Sequence, residues 1–132
     1  MSSPCLCLTL RKAARRVTSV YDEALAPVGM NLAQFSLLRH IARLQPLSLT
    51  ELGRVVELDR STVGRNVKVL EKLGLTEPVP LADQREAGVQ LTTHGLTSMQ
   101  EGERYWNEAQ AHFEHKLGKV EFDRLKQMLD SL

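Results

Sequence analysis

The 132-residue sequence has little of several features that mark particular classes of protein. It has two cysteines, one tryptophan and a formal net charge of only +1. Because Cys5 and Cys7 lie two positions apart, they make poor material for a disulfide framework and indicate a reducing compartment, the cytoplasm. A net charge near zero gives no overall attraction to nucleic acid or to a membrane, so any basic surface has to come from local clustering.

The sequence also lacks a long hydrophobic run. The apolar stretch at residues 4–10 is too short to span a bilayer, and basic residues follow it instead of preceding it as in a secretory signal. We therefore expect no membrane partner. The sequence shows no glycine-rich phosphate loop, metal-ligand spacing or nucleophile motif, so we expect neither an enzyme nor a cofactor.

What is present is the patterning of one globular domain, with 42% hydrophobic and 25% charged residues. Apolar residues recur at helical spacing from Leu8 to Val28 and predict a first helix. Asn31 and Gln34 have the spacing of a capping box, which predicts that a second helix starts there and ends near Pro46.

A helix-turn-helix follows in the middle of the chain. Ser48 and Glu51 repeat the capping-box spacing and start a short third helix. After a tight break, Asp59 or Ser61 is able to cap a fourth helix that runs to Gly74. Two helices joined by so short a turn are typical of this motif.

The rest of the chain predicts a hairpin and two more helices. Residues 76–79 and 89–91 read as the strands of a two-stranded hairpin with a long tip, a wing. Thr92 is able to cap a long helix from about Thr93 to His115, and Gly118 separates it from a last amphipathic helix. The predicted fold is mainly α with a small β-hairpin wing, a winged helix-turn-helix with terminal helices.

The first and last helices carry apolar stripes that the central motif leaves without a partner. The simplest solution buries these stripes against a second copy of the chain and gives a two-fold homodimer. We therefore divide the single domain, residues 1–132, into dimerisation helices at 5–30 and 93–132 and a DNA-reading part at 31–92. A bundle closed within one chain is the alternative.

The fourth helix carries a basic face. Residues 60–72 include four basic residues and one acid, a net charge of +3. At about 100° per residue, Ser61, Arg65, Lys68 and Lys72 fall on one side, opposite Val63, Val67 and Leu70. An isolated cationic face is able to do no more than keep a protein soluble. Because the basic face of the fourth helix follows a helix and a short turn, it instead fits the major groove of duplex DNA.

Two segments resemble the MarR family of transcription regulators: LTELGRVVELDRSTVGRNVKVLEKLGL, from Leu49 to Leu75, and ADQREAGVQLTTHG, residues 82–95. The resemblance implies a homodimer that binds a pseudo-palindromic double-stranded DNA operator. By family default, the protein would be a repressor, and a small-molecule or oxidant signal would release it from the DNA. It also implies roles for single residues. Ser61, Thr62, Arg65 and Asn66 would contact bases or phosphates, Arg60 and Lys68 phosphates, and Arg85 the minor groove, with Asp83 holding that arginine.

The wing departs from the family pattern, which often has additional arginines. Residues 76–91 hold one base, Arg85, against the acids Glu77, Asp83 and Glu86, a net charge of −2. The difference predicts that DNA recognition depends mainly on the fourth helix.

Cys7 and Tyr21, fourteen positions apart, resemble the organic-hydroperoxide-sensing branch of the family, in which oxidation of a thiolate releases DNA. A helix N-terminus favours a thiolate, and Arg11 nearby adds positive charge. That branch has a second tyrosine where this chain has Arg11. Cys5 and Cys7 are therefore candidates for redox sensing, with Tyr21 as a partner, and the alternative is that both cysteines are small buried hydrophobic residues.

The family resemblance also admits a small aromatic ligand as the signal, with Phe35, Arg39 and His40 as lining residues. His112 and His115 lie three positions apart, but without companion ligands they predict no metal site. Two other functions stay open: a thiol-based peroxide-responsive enzyme, and a winged-helix protein-interaction module that does not bind DNA.

Overall fold

A computed structural model describes residues 3–82 and 86–132 of the chain. The six helices and the hairpin of the wing follow one another in the predicted order, so the prediction of a mainly α fold with a small wing is confirmed. The helices are α1 (Leu6–Leu25), α2 (Leu32–Leu44), α3 (Leu49–Val56), α4 (Arg60–Lys72), α5 (Thr93–Leu117) and α6 (Lys119–Asp130), with a 3-10 turn at Ala26–Val28. The strands are β1 (Leu47–Ser48), β2 (Thr76–Val79) and β3 (Gly88–Leu91).

The helix starts follow from their capping residues. The side chain of Asn31 accepts a hydrogen bond from the Gln34 backbone N–H at 2.9 Å, and Gln34 accepts one from the Asn31 N–H at 3.0 Å, which confirms the capping box of α2. Ser48 accepts from the Glu51 N–H at 3.0 Å at the start of α3. Of the two candidates for the cap of α4, Asp59 is the one that accepts from a backbone N–H.

The turn between α3 and α4 depends on two backbone features. Glu57 ends α3 in the left-handed region, with φ of 57°. Gly53 lies so close to the turn that a Cβ there would come within 2.8 Å of the Leu58 carbonyl oxygen. The two helices are therefore held at close range, as a helix-turn-helix requires.

The wing is part of a three-stranded antiparallel sheet in the order β1-β3-β2. The hairpin of β2 and β3 was predicted, but the prediction of two strands was incomplete. Leu47 pairs with Val89 and Ser48 pairs with Gly88, so β1 fastens the wing to the start of α3. A strand of two residues is too short to show the alternation from which strands are predicted.

The core lies between α2, the helix-turn-helix and the wing. Phe35, Leu52, Val63 and Leu70 are fully buried there, and Val89 brings the wing into the same cluster. The terminal helices pack differently. Helix α1 lies along α5 and α6 returns on α5, yet both leave large apolar side chains exposed.

No helix within residues 3–82 and 86–132 combines the length and the apolarity that crossing a membrane demands.

Candidate nucleic-acid interface

Helix α4 is fixed by its apolar side and presents its basic side to solvent. Val63, Val67 and Leu70 are buried at 3% exposure or less. The side chains on the opposite face are exposed, as the spacing predicts: Ser61, Arg65, Lys68 and Lys72. Because the buried face sets the rotation of the helix, the position of the cations follows from the core.

The N-terminal turn of α4 is held by a carboxylate. Asp59 accepts from the Thr62 backbone N–H and from the Ser61 hydroxyl, both at 2.8 Å. The hydrogen bond from the Thr62 backbone N–H, followed by those from the Ser61 and Thr62 side chains, holds the pKa of Asp59 below its ordinary value. Arg65 donates from Nη2 to the Thr62 hydroxyl at 3.2 Å. The cap therefore also orders the first cation of the basic face.

Five of the six predicted contact residues of α4 divide into two rows. Ser61, Arg65 and Lys68 share the exposed basic face. Thr62 and Asn66 form the neighbouring row, turned by about 100°, and are half-buried. Asn66 lines a hollow of about 260 Å³ together with residues from the start of α2. The structure thus does not bring Asn66 onto the same face as the cations.

A groove of about 430 Å³ runs between α4 and the wing. One wall is the basic side of α4, and the other is largely apolar and comes from the wing. The lining residues are Arg60, Ser61, Gly64, Arg65, Lys68 and Glu71 on α4, Pro78, Ala87, Gly88 and Val89 on the wing, and Leu49 and Val67. An anionic strand placed in this groove would meet cations on one side and nonpolar surface on the other.

Arg60 lines the same wall, but its guanidinium is paired with a carboxylate. Its Nε donates to Glu86 Oε1 at 3.3 Å, and the same oxygen accepts from the Thr50 hydroxyl at 2.8 Å and from the Thr50 backbone N–H at 3.1 Å. These bonds, the Thr50 hydroxyl first and Arg60 last, hold the pKa of Glu86 below its ordinary value. Thr50 and Glu86 were not predicted to be in contact, because 36 positions separate them and no periodic pattern joins them.

The tip of the wing is outside the described part of the chain. Asp83 and Arg85, the predicted pair for the minor groove, both lie there. On the described strands, Glu77 is exposed on β2, and its Oε1 accepts from Gln90 Nε2 of β3 at 2.9 Å.

The candidate redox residues are separated within one protomer. Cys5 is the N-cap of α1 and Cys7 lies in its first turn, and both are exposed free thiols. The alternative of two buried cysteines is therefore wrong for the protomer. Tyr21 lies fourteen residues further along the same helix, about 21 Å away at 1.5 Å per residue. A contact between Cys7 and a Tyr21 would have to come from another copy of the chain.

Tyr21 has its own partners. Its hydroxyl donates to Gln110 Oε1 on α5, and its ring stacks on Phe113 with a centroid distance of 5.8 Å. Burial raises the pKa of Tyr21, so the phenol stays protonated at neutral pH.

The residues predicted to line a ligand site belong to an aromatic contact between α2 and α5. Phe35 is fully buried, and the guanidinium of Arg39 lies 4.2 Å from the centre of the Trp106 ring. His40 Nδ1 is 2.7 Å from the Ser36 carbonyl oxygen of its own helix. Phe35 therefore offers no open surface, whereas Arg39 and His40 are half-exposed.

His112 and His115, the two histidines three positions apart on α5, belong to no larger cluster of metal-ligating side chains in the described residues. His112 lies edge-on to Phe113 at 5.1 Å between ring centres. In the described residues, no group of three or more His, Cys, Asp or Glu side chains is placed to hold a metal ion.

Comparisons with known proteins give a consistent result. A family model described as "MarR family" matches residues 28–85, which include α2, α3, α4 and β2. The crystal structure of the M. tuberculosis transcriptional regulator MosR in complex with DNA is 30% identical, with a TM-score of 0.88 over 97% of this chain and 92% of that one. A mutant of E. coli MarR complexed with operator DNA has the same fold at 22% identity, with a TM-score of 0.89 over 96% of this chain and 91% of that one.

A curated relative is similar in sequence. The HTH-type transcriptional regulator YwoH of Bacillus subtilis is 29% identical over 83 residues, 63% of this chain. The match spans 61% of the length of that relative.

Proposed function

This chain belongs to the MarR family, and we propose that it is a sequence-specific DNA-binding transcriptional regulator that works in the cytoplasm as a homodimeric repressor without enzymatic activity. The observation that carries the proposal is the basic face of α4. Net charge is +3 over residues 60–72 and −2 over residues 76–91, so the cations are concentrated on the helix whose width suits a major groove. The DNA in the MosR structure supports the same reading.

The groove beside α4 gives the proposal a geometry. With α4 in a major groove, the wing reaches the adjacent minor groove, and the phosphate strand between the two grooves runs along Lys68. Contacts to phosphates set the position on the duplex, whereas Ser61 and Arg65 near the amino end of α4 reach the base edges. We expect Arg85 to supply the minor-groove contact and Asp83 to hold that arginine.

The test is a selection of duplexes from a random pool, followed by binding measurements with the selected operator. Arg65→Glu replaces a cation on the basic face and should weaken binding at least about 100-fold, because it removes a phosphate or base contact and adds repulsion. Arg104→Glu is the matched control, since Arg104 is an exposed cation on α5. Equal effects of the two reversals, or binding unaffected by Arg65→Glu, would contradict the proposal.

The homodimer is supported by apolar surface on the terminal helices. These side chains are between 36% and 78% exposed in the protomer: Leu6, Leu8 and Val17 on α1, Leu117 at the end of α5, and Val120, Leu125, Met128, Leu129 and Leu132 in or after α6. Next to them lies a groove of about 250 Å³ lined mainly by apolar side chains, among them Val17, Phe113 and Leu125. A second copy would cover this surface around a two-fold axis and place two α4 helices on successive major grooves, about 10 base pairs apart.

Oligomeric state tests this part separately. Leu129→Glu should shift the protein from dimer to monomer in sedimentation analysis, because it places a charge in the apolar surface. Leu44→Glu is the matched control, since Leu44 is 44% exposed and Leu129 is 42% exposed, but Leu44 lies on α2. A parent protein that sediments as a monomer would overturn the dimer.

We further propose that an oxidant releases the protein from DNA through Cys7. The thiolate would attack an organic peroxide, take one oxygen to become a sulfenic acid, and release the corresponding alcohol. The exposure of Cys7 in the first turn of α1 supports the proposal, because reactive thiols are accessible to the oxidant.

DNA binding with and without cumene hydroperoxide tests this signal. The parent should lose affinity, whereas Cys7→Ser should keep it and Cys5→Ser should behave as the parent. If Cys7→Ser still leaves DNA on treatment, the thiol is not the sensor. A small aromatic acid such as salicylate, added in place of the peroxide, tests the alternative signal at Arg39 and His40.

A further inference from the structure

The wing is joined to the helix-turn-helix by a small side-chain cluster, which we call the wing clamp and define as Thr50, Arg60 and Glu86. Glu86 belongs to the segment that leads into β3, Thr50 to the first turn of α3, and Arg60 is the first residue of α4. One carboxylate oxygen of Glu86 accepts hydrogen bonds from the backbone and the hydroxyl of Thr50 and from Arg60. Three separate elements are therefore connected through a single atom.

The clamp lies outside the strand pairing of the wing. Gly88 is paired on both sides, with Ser48 and with Val79, whereas Glu86 lies two residues beyond the end of this sheet. The Glu86 side chain is 25% exposed and that of Arg60 is 61% exposed. Arg60 is thus accessible at the end of the groove between α4 and the wing, but its charge is already paired with a carboxylate.

We propose that Arg60 and Glu86 are positioning residues that hold the wing at a fixed distance from α4, and that Arg60 acts on DNA through the wing instead of binding a phosphate. The inference rests on the proposed DNA-binding function. It also revises the role that the family resemblance implies for Arg60.

If Glu86 is removed, the clamp and simple electrostatics predict opposite changes in the affinity for DNA. Removing an acid from a surface that faces DNA should strengthen binding if Glu86 only repels phosphates. Removing a clamp should weaken binding, because the wing must then be ordered when DNA binds. Salt dependence separates the roles of Arg60, since losing one phosphate ligand lowers the salt slope by about 0.9, whereas losing a positioning residue leaves the slope unchanged.

The experiment measures affinity of the full chain for the selected operator between about 50 and about 200 mM salt. We expect Arg60→Ala and Glu86→Ala each to weaken binding about five- to tenfold without changing the salt slope, and the double variant to be no weaker than either single one. Glu86→Gln should bind within about twofold of the parent, because its amide oxygen can accept the same hydrogen bonds. Glu77→Ala is the matched control, an exposed acid of the same wing, and should bind as tightly as the parent or more tightly.

Three results would overturn the clamp: tighter or unchanged binding by Glu86→Ala, a lower salt slope for Arg60→Ala, or additive losses in the double variant. Thermal unfolding of each variant separates a loss of the clamp from a loss of the fold. If the parent binds the operator and Arg65→Glu abolishes binding while Glu86→Ala binds normally, the clamp fails and the proposed function stands. If the parent binds no duplex at all, both fail.

Discussion

Helix α4 and the wing face the same groove but are built in different ways. Helix α4 is fixed on the core by Val63, Val67 and Leu70. Its net charge is +3, and the cationic side chains lie on the side exposed to solvent. The wing is acidic, its buried side chains include Thr76, Val89 and Leu91, and it is fastened by strand pairing with β1 and by the wing clamp. Rigidity and positive charge therefore come together in α4, whereas the position of the wing depends on strand pairing and on the few side-chain contacts of the wing clamp.

The largest expected contrast is in stability. Leu70→Ala should lower the free energy of unfolding by about 2 to 5 kcal/mol, because it empties a fully buried site under α4. Val79→Ala, at a half-buried position on β2, should cost about 1 kcal/mol or less. Urea unfolding measures both. If the wing substitution costs as much as the helix substitution, the two regions do not differ in the way described.

The second contrast is in DNA affinity. Lys68→Ala should weaken binding about tenfold for operator and random duplex alike and lower the salt slope by about 0.9 for each lost phosphate contact. Arg85→Ala tests the wing in the same assay. It should reduce the preference for particular base pairs at the operator positions that are contacted through the minor groove. If Arg85→Ala lowers the affinity for DNA more than Lys68→Ala does, the prediction that α4 contributes more to binding than the wing is wrong.

Glycine substitutions in α4 and in the wing are expected to change stability by smaller amounts and with opposite signs. A Cβ at Gly64 of α4 meets nothing within 4 Å, so Gly64→Ala should stabilise the protein by about 0.5 to 1 kcal/mol. A Cβ at Gly88 would lie 2.5 Å from Leu81 Cδ2 and 3.1 Å from the Val79 carbonyl oxygen, so Gly88→Ala should destabilise the wing. Thermal unfolding checks both signs. Because Gly64 lines the groove, its substitution should also weaken DNA binding while raising stability.

The smallest effect is on acid stability. The pKa values of Asp59 at the cap of α4 and of Glu86 in the wing clamp are both lower in the folded protein than the ordinary values. Their contributions are therefore complete above the ordinary carboxyl pKa of about 4 and are lost as pH falls through the lowered values. Asp59→Asn retains an acceptor at the cap but does not titrate there, so its stability should fall less steeply below about pH 4. Equal pH profiles for parent and variant would contradict the lowered pKa of Asp59.

Most of the fold was predictable, because capping and periodicity are local. Asn31 with Gln34, Ser48 with Glu51, and Asp59 each mark a helix start within four residues, and all are found at those starts. The basic face of α4 was predictable for the same reason, since helical rotation places Arg65 and Lys68 together once the buried side is known. Strand β1 escaped prediction because two residues carry no period.

The candidate site was predictable only in part. The exposed row of Ser61, Arg65 and Lys68 follows from the spacing, whereas the half-buried position of Asn66 depends on how close α2 lies. The pairing of Arg60 with Glu86 depends on the path of the wing. The roles in DNA recognition assigned to these residues remain predictions.

Local patterns in the chain were enough to predict the order of the helices, their caps, the hairpin and the side of α4 that bears its charge, because each depends on residues within a few positions of one another. The tertiary structure alone decided that β1 joins the sheet, that Tyr21 bonds to Gln110, and that Glu86 meets Thr50 and Arg60. Those contacts bridge 26 to 89 positions of chain. At such separations no periodic signal survives, and only the packing of helices and sheet around a shared core brings the partners together.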